Sequence, residues 1–100
     1  MKDTSQNDLY ILHFQSPYWL QAQHYVGYTT LGVAERVKIH RSGRGSKLVD
    51  YALNKKGIDF QVGCVEHFDT PEQARWRERR LKHEGHLSRH CEICNAEHTM

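Results

Sequence analysis

The residue whose placement most needs a chemical explanation is Glu78. After Thr70, the residues Ala74, Glu78 and Leu81 recur at i, i+4 and i+7, so a carboxylate shares the least polar stripe of a helix otherwise crowded with arginine. A carboxylate turned toward a core is costly unless a cation meets it. Two partners are open: a divalent metal ion, or Lys82 one turn further on. A second group stands upstream, where His40 and Arg41 lead into Ser42-Gly43-Arg44-Gly45-Ser46-Lys47. This basic, glycine-rich loop lacks the spacing of a nucleotide-binding P-loop. It suits contact with a phosphate backbone through Arg41, Arg44, Lys47 and the amides around the glycines. A third group is the tail, where His86, His90, Cys91, Cys94 and His98 crowd together. Cys91-x-x-Cys94 has zinc-ligand spacing, and a Cys₂His₂ set could be drawn from Cys91, Cys94, His98 and either His86 or His90. One cysteine pair at a chain end is half a site, however. The expectation is that residues 86–100 bind zinc weakly or not at all and are dispensable for catalysis.

These groups must be held by a small body. One hundred residues with 38% hydrophobic content can bury one modest core. No apolar run approaches the roughly 20 residues a bilayer requires, and the polar N-terminus has no signal core, so a soluble, unexported protein is expected. Cys64, Cys91 and Cys94 cannot all pair with one another, which points to a reducing, cytoplasmic setting. The net charge of +2 hides two blocks: Arg36 to Lys56 carries +6 and Arg75 to Lys82 carries +4. Such clustering suits a polyanion better than a neutral partner.

Along the chain, residues 1–7 read as a frayed polar tail. Leu9–Phe14 and Gln23–Thr29 are rich in β-formers, and Ser16-Pro17 favours a turn, so the two runs predict an antiparallel hairpin with a longish connection. Within that connection Tyr18 and Trp19 could stack on bases or form a hydrophobic lid. Val33, Arg36, Val37 and His40 form one helical stripe that stops near Gly43, Leu48–Asn54 predicts a short helix, and Ile58–Phe68 a strand with Phe60, Val62 and Cys64 on one face. The last helix has Thr70 as N-cap, Pro71 at the first position, Gln73 to close a capping box and Gly85 as its stop. The expected fold class is α+β: a small, mainly antiparallel three-stranded sheet flanked by helices. Residues 8–85 would form the domain and 86–100 a His/Cys-containing tail.

Taken in order, these residues resemble the GIY-YIG endonucleases. Asp8-Leu9-Tyr10 stands where the first triplet stands and keeps only its tyrosine, while Tyr25-Val26-Gly27 matches the second. Arg36 matches the family's helical arginine, His40 a histidine common in many members, and Glu78 within Glu-Arg-Arg-Leu-Lys the metal-binding glutamate. His40–Lys47 is similar to the small single-domain members, and the resemblance spans residues 8 to 84. Three departures stand out. The first triplet lacks its glycine, the tyrosine-to-tyrosine connection is long, and no asparagine follows the glutamate where some members have one.

The resemblance implies an endonuclease that hydrolyses DNA, duplex or branched, with Mg²⁺ or Mn²⁺, in repair or recombination; a targeting partner protein is left open. One carboxylate suffices for Mg²⁺, which keeps several of its waters. By the resemblance, Glu78 would hold the metal, Arg36 would hold the phosphate and offset transition-state charge, and Tyr10 would position the attacking water. Tyr25 stands where the family places its general base, and Gly27 has a structural role. A free phenol has a pKa near 10, so a phenolate at pH 7 costs roughly 4 kcal/mol. Either Tyr25 or His40 could therefore be the final proton acceptor. The rival from another class is a non-catalytic nucleic-acid-binding module, which needs the arginines and lysines but gives no reason for an inward carboxylate.

Overall fold

The computed structural model describes residues 6–98, with side chains as far as residue 96. Of the expected N-terminal tail, residues 1–5 lie outside the described residues. Gln6 already bridges to Leu31, and strand β1 (Asn7–Phe14) begins at Asn7, whose side-chain amide donates to the Asp69 carbonyl at 3.0 Å.

β1 is the middle strand of a three-stranded antiparallel sheet, between β2 (His24–Thr29) and β3 (Phe60–Phe68). Every residue of β1 is buried. A strand covered on both faces reads as a continuous apolar run, which is why Leu9–Phe14 shows no alternation in hydrophobicity. Side-chain direction still alternates. Tyr10, Leu12 and Phe14 point to one face, where they pack with Phe60 and with Val49 and Ala52 from α2 (Lys47–Asp50) and a π-helical turn (Tyr51–Lys55). Val33 and Val37 of α1 (Val33–Arg41) close this core. Leu9, Ile11 and Val26 point to the other face, against Leu81 of α3 (Pro71–Glu84) and Leu87.

Two expectations are corrected by this geometry. The β1–β3 register slips between Ile11 and Leu12, so Ile11 faces Cys64, Leu12 faces Val62, and Gly63 is the extra residue of a bulge. One inserted residue sends the following side chains to the opposite face. Phe60 and Val62 therefore stay on the Tyr10 side while Cys64 crosses to the Ile11 side, instead of all three sharing a face. The single short helix expected over Leu48–Asn54 is an α-turn followed by the wider turn, in which the Lys56 amide donates to the Tyr51 carbonyl five residues back.

Helix α3 forms where its sequence signals put it. The Thr70 hydroxyl accepts from the Gln73 amide at 3.2 Å, the Gln73 side-chain oxygen accepts from the Thr70 amide at 3.3 Å, and Gly85 ends the helix at φ 74. Beyond it, residues 86–98 make a 3₁₀ turn (Leu87–His90) and a seven-residue helix α4 (Glu92–His98) that packs on β3. No helix among the described residues is long and apolar enough to cross a membrane.

Candidate active site

Strand pairing places Tyr10 directly opposite Gly27 and Leu12 opposite Tyr25, so both tyrosines and the glycine share one face of the hairpin. Gly27 leaves the room that Tyr10 fills. A Cβ at position 27 would lie 2.7 Å from the Tyr10 hydroxyl oxygen and 3.1 Å from the Tyr25 ring. Tyr10 thus leans across β2, the edge strand, instead of standing upright over its own. The structural role expected of Gly27 is this close approach.

Behind Tyr10 stands His40, fully buried, with its Nε2 2.7 Å from the Tyr10 hydroxyl oxygen. Helix α1 delivers it from the same stripe that carries Val33 and Val37 into the core. The loop glycine Gly45 is pressed against its ring, where a Cβ would collide with the imidazole. Burial, with the Arg36 charge adding to it, pushes the His40 pKa down to about 4, so the ring is neutral near pH 7. Its Nδ1 is buried without a partner. A buried bare acceptor costs less than a buried orphan N–H, so the proton belongs on Nε2, which donates to the Tyr10 oxygen. Burial also pushes Tyr10 up to about 12, against the opposing influence of Arg36. Tyr10 therefore stays a phenol, and its own proton is directed away from His40.

Around that hydroxyl the remaining residues gather. Arg36 lowers the Tyr10 pKa, and the charges of Tyr25 and Glu78 raise it, so all three side chains lie within electrostatic reach of the Tyr10 oxygen. The Tyr25 ring centroid is 6.4 Å from that of Tyr10 and 5.6 Å from that of His40. The Arg36 Nε is buried with no partner, an expensive state for a guanidinium donor unless a ligand oxygen meets it. Glu78 lies one turn from Ala74 and Leu81 on α3, which runs mainly against β2 and β1. Its side chain is 20% exposed, and Lys82 Nζ sits 3.5 Å from Oε2. The intrahelical ion pair and the electrostatic influence on Tyr10 coexist.

The basic residues divide into bound and outward-facing groups. Arg41 is fastened to the fold: Nη1 donates to Asp59 at 2.9 Å, Nη2 to the Phe60 carbonyl at 3.3 Å, and the guanidinium lies 4.4 Å over the Phe60 ring. Arg44 and Lys47 are exposed in the loop and at the start of α2, which Ser46 caps. On α3, Arg77 holds both oxygens of Glu66 at 2.9 and 3.3 Å, and Arg80 faces Glu84 and Trp76. In the hairpin connection Tyr18 is buried, donates to the His24 carbonyl at 2.7 Å and packs on Phe14, whereas Trp19 is 65% exposed.

The tail residues do not assemble among themselves. His90 faces Glu84 at 3.4 Å, His86 is exposed, and the side chain of His98 lies outside the described residues. Cys91 and Cys94 instead turn back onto the hairpin and meet His13 and His24, two histidines that sequence reasoning passed over as strand residues. The signal that could have found them is the hairpin register itself, which sets His13 opposite His24.

A model of the GIY-YIG catalytic domain matches residues 9–98. No curated protein and no solved structure matches the chain. The match runs past the α3 stop and through α4. With nine-tenths of its length covered by a family of nucleases that act on DNA, this chain belongs to the GIY-YIG family.

Proposed function

We propose that the chain is a metal-dependent endonuclease that hydrolyses phosphodiester bonds in DNA at the edge of β2. The observation that carries this reading is the gathering around the Tyr10 hydroxyl of a buried histidine, a second tyrosine and an arginine whose Nε has no partner, with a carboxylate within electrostatic reach. A fold alone asks for none of these.

Glu78 fits a hard divalent cation: it is a partly exposed carboxylate whose neighbouring ammonium, Lys82, is 57% exposed and can swing away. Mg²⁺ or Mn²⁺ held there would polarise the scissile phosphate and stabilise the leaving oxygen. Arg36, part-exposed as a residue, would hold a phosphate oxygen with its planar fork and offset charge as the transition state forms. Tyr10 keeps its proton, accepts from His40 and donates outward, which fixes the orientation of the attacking water. His40 lies behind Tyr10 and is neutral, so it acts through the Tyr10 hydroxyl. Tyr25, half-buried on the same face, is then the group that would take the water's proton, acting as the phenolate. Arg44 and Lys47 hold the DNA backbone, while Arg41, bonded to Asp59 and the Phe60 carbonyl, ties α1 to β3.

The test is a cleavage assay with Mg²⁺ and with Mn²⁺ over single-stranded, duplex, flapped and branched DNA. Metal-dependent internal scission of at least one of these is expected. Tight DNA binding with no cleavage of any shape in either metal would overturn the enzyme reading and leave a binding module.

A further inference from the structure

On the opposite face of the hairpin, four ligand atoms crowd around one point. His13 Nδ1 is 3.2 Å from His24 Nε2, 3.4 Å from Cys91 Sγ and 3.5 Å from Cys94 Sγ, and Cys94 Sγ is 3.2 Å from His24 Nε2. All four atoms lie within 4.8 Å of one another. Hydrogen bonding does not explain the cluster. The Nδ1 of a neutral imidazole offers one lone pair or one proton, yet here three neighbours contact it at once. A shared central cation explains it directly. Zn–N bonds of about 2.0–2.1 Å and Zn–S bonds of about 2.3 Å at tetrahedral angles put nitrogen pairs about 3.3 Å apart and nitrogen–sulfur pairs about 3.5 Å apart.

We infer that His13, His24, Cys91 and Cys94 form a closed, structural zinc site that fastens the C-terminal helix to the β1–β2 hairpin. Two thiolates and two neutral imidazoles cancel the charge of Zn²⁺, so the group can be buried without a stray charge, and a tetrahedral S₂N₂ set favours zinc. The fold makes room for it independently. Cys91 is fully buried against Gly63, the extra residue of the β3 bulge, where a Cβ would come within 2.6 Å of the sulfur. Helix α4 needs such a tether, because seven residues with few apolar side chains do not hold a helix in water. With four protein ligands no position is left for substrate, which separates this site from the chemistry at Tyr10. It also replaces the tail-only set of Cys91, Cys94, His98 and His90: the two histidines come from the strands.

The test uses the full chain, purified under reducing conditions, with zinc measured by elemental analysis and Co²⁺ substituted for spectroscopy. The expected result is one zinc per chain, a Co²⁺ spectrum of a tetrahedral dithiolate site, and a lower Tm after chelation. His24→Ala and Cys94→Ser should each reduce zinc to about a tenth or less, whereas His90→Ala should keep it. If the variants do not fold, zinc content and the Co²⁺ spectrum of the native sequence decide. A folded, reduced protein that takes up no zinc on reconstitution would overturn the inference. So would full zinc in His24→Ala, or a Cys91–Cys94 disulfide in the native protein. The readout is metal content, so its failure leaves the nuclease reading untouched, and failure of cleavage leaves the zinc site untouched.

Discussion

On one face of the β1–β2 hairpin, Tyr10 and Tyr25 gather with Arg36 and His40, within electrostatic reach of Glu78 on α3, whose Leu81 packs against the opposite face; on that opposite face, His13 and His24 gather with Cys91 and Cys94. Strand alternation lets one two-stranded ribbon serve both groups, since neighbouring residues such as Leu12 and His13 point opposite ways. The groups differ in how their bonding capacity is used. The tyrosine face leaves polar capacity open: Arg36 Nε has no partner, and Glu78, within electrostatic reach, is part-exposed beside an exposed lysine. The histidine face crowds its lone pairs onto one another and is sealed by a bulge glycine. A site that must receive substrate keeps unsatisfied groups at an edge strand, and one that must hold the chain together closes on itself.

The sharpest way to break this comparison is to damage one face and read out the other. Tyr25→Phe and Arg36→Ala should slow single-turnover cleavage by about a hundredfold or more while leaving Tm and zinc content unchanged. Cys94→Ser should do the reverse, lowering Tm while keeping turnover within a few-fold at a temperature where the protein is folded. Loss of both properties in either variant would mean that the two faces form one unit.

A smaller effect should come from the glycine that lets Tyr10 lean over β2. Gly27→Ala forces a Cβ against the Tyr10 hydroxyl, and because Tyr10 is fully buried the displacement should cost about 1–3 kcal/mol. Chemical denaturation measures this cost. Cleavage should fall with DNA affinity unchanged, and an unaltered Tm would show that Tyr10 has other room.

The His40–Tyr10 pair should also write itself into the pH dependence of stability. His40 titrates at about 4 in the fold against 6.5 in the unfolded chain. The unfolded state therefore takes up the proton first as pH falls. The contribution of His40 is intact above pH 6.5 and is lost between 6.5 and 4, up to roughly 3 kcal/mol. His40→Gln should flatten this descent relative to the native sequence in denaturant titrations at successive pH values. An identical slope in both would contradict the buried neutral histidine.

The smallest effects concern the basic loop. Arg44→Ala or Lys47→Ala should weaken DNA binding several-fold and reduce its salt dependence by about one unit of slope per lost contact. Arg41→Ala should alter affinity by less than about twofold, because its fork is engaged with Asp59 and Phe60. Equal salt slopes for the three variants would return Arg41 to the DNA contacts.

The tyrosine face was readable in the chain because its parts carry local signals. The hairpin signals framed Tyr10 and Tyr25, the helical stripe placed Arg36 with His40, and the capping box fixed the phase of Glu78 on α3. The histidine face was only half readable. Cys91 and Cys94 are marked by their spacing, but His13 lies 78 residues from Cys91, and only the hairpin register and the return of α4 bring them together. The bulge at Gly63 was hidden for a related reason: a glycine among β-formers is compatible with a regular strand, and only pairing with β1 shows the slip that moves Cys64 to the other face. Arg41 read as a loop cation because its partners Asp59 and Phe60 belong to a strand that arrives later in the chain.

The most direct measurement of the central claim is Glu78→Ala, followed by DNA binding in Ca²⁺ and single-turnover cleavage in Mg²⁺. If Glu78 holds the catalytic metal beside bound phosphate, cleavage should fall by about a hundredfold or more, while affinity is unchanged or raised because a negative charge has left the neighbourhood of a polyanion. Cleavage that survives within a few-fold, with the metal still required, would contradict the account and reduce Glu78 to the partner of Lys82.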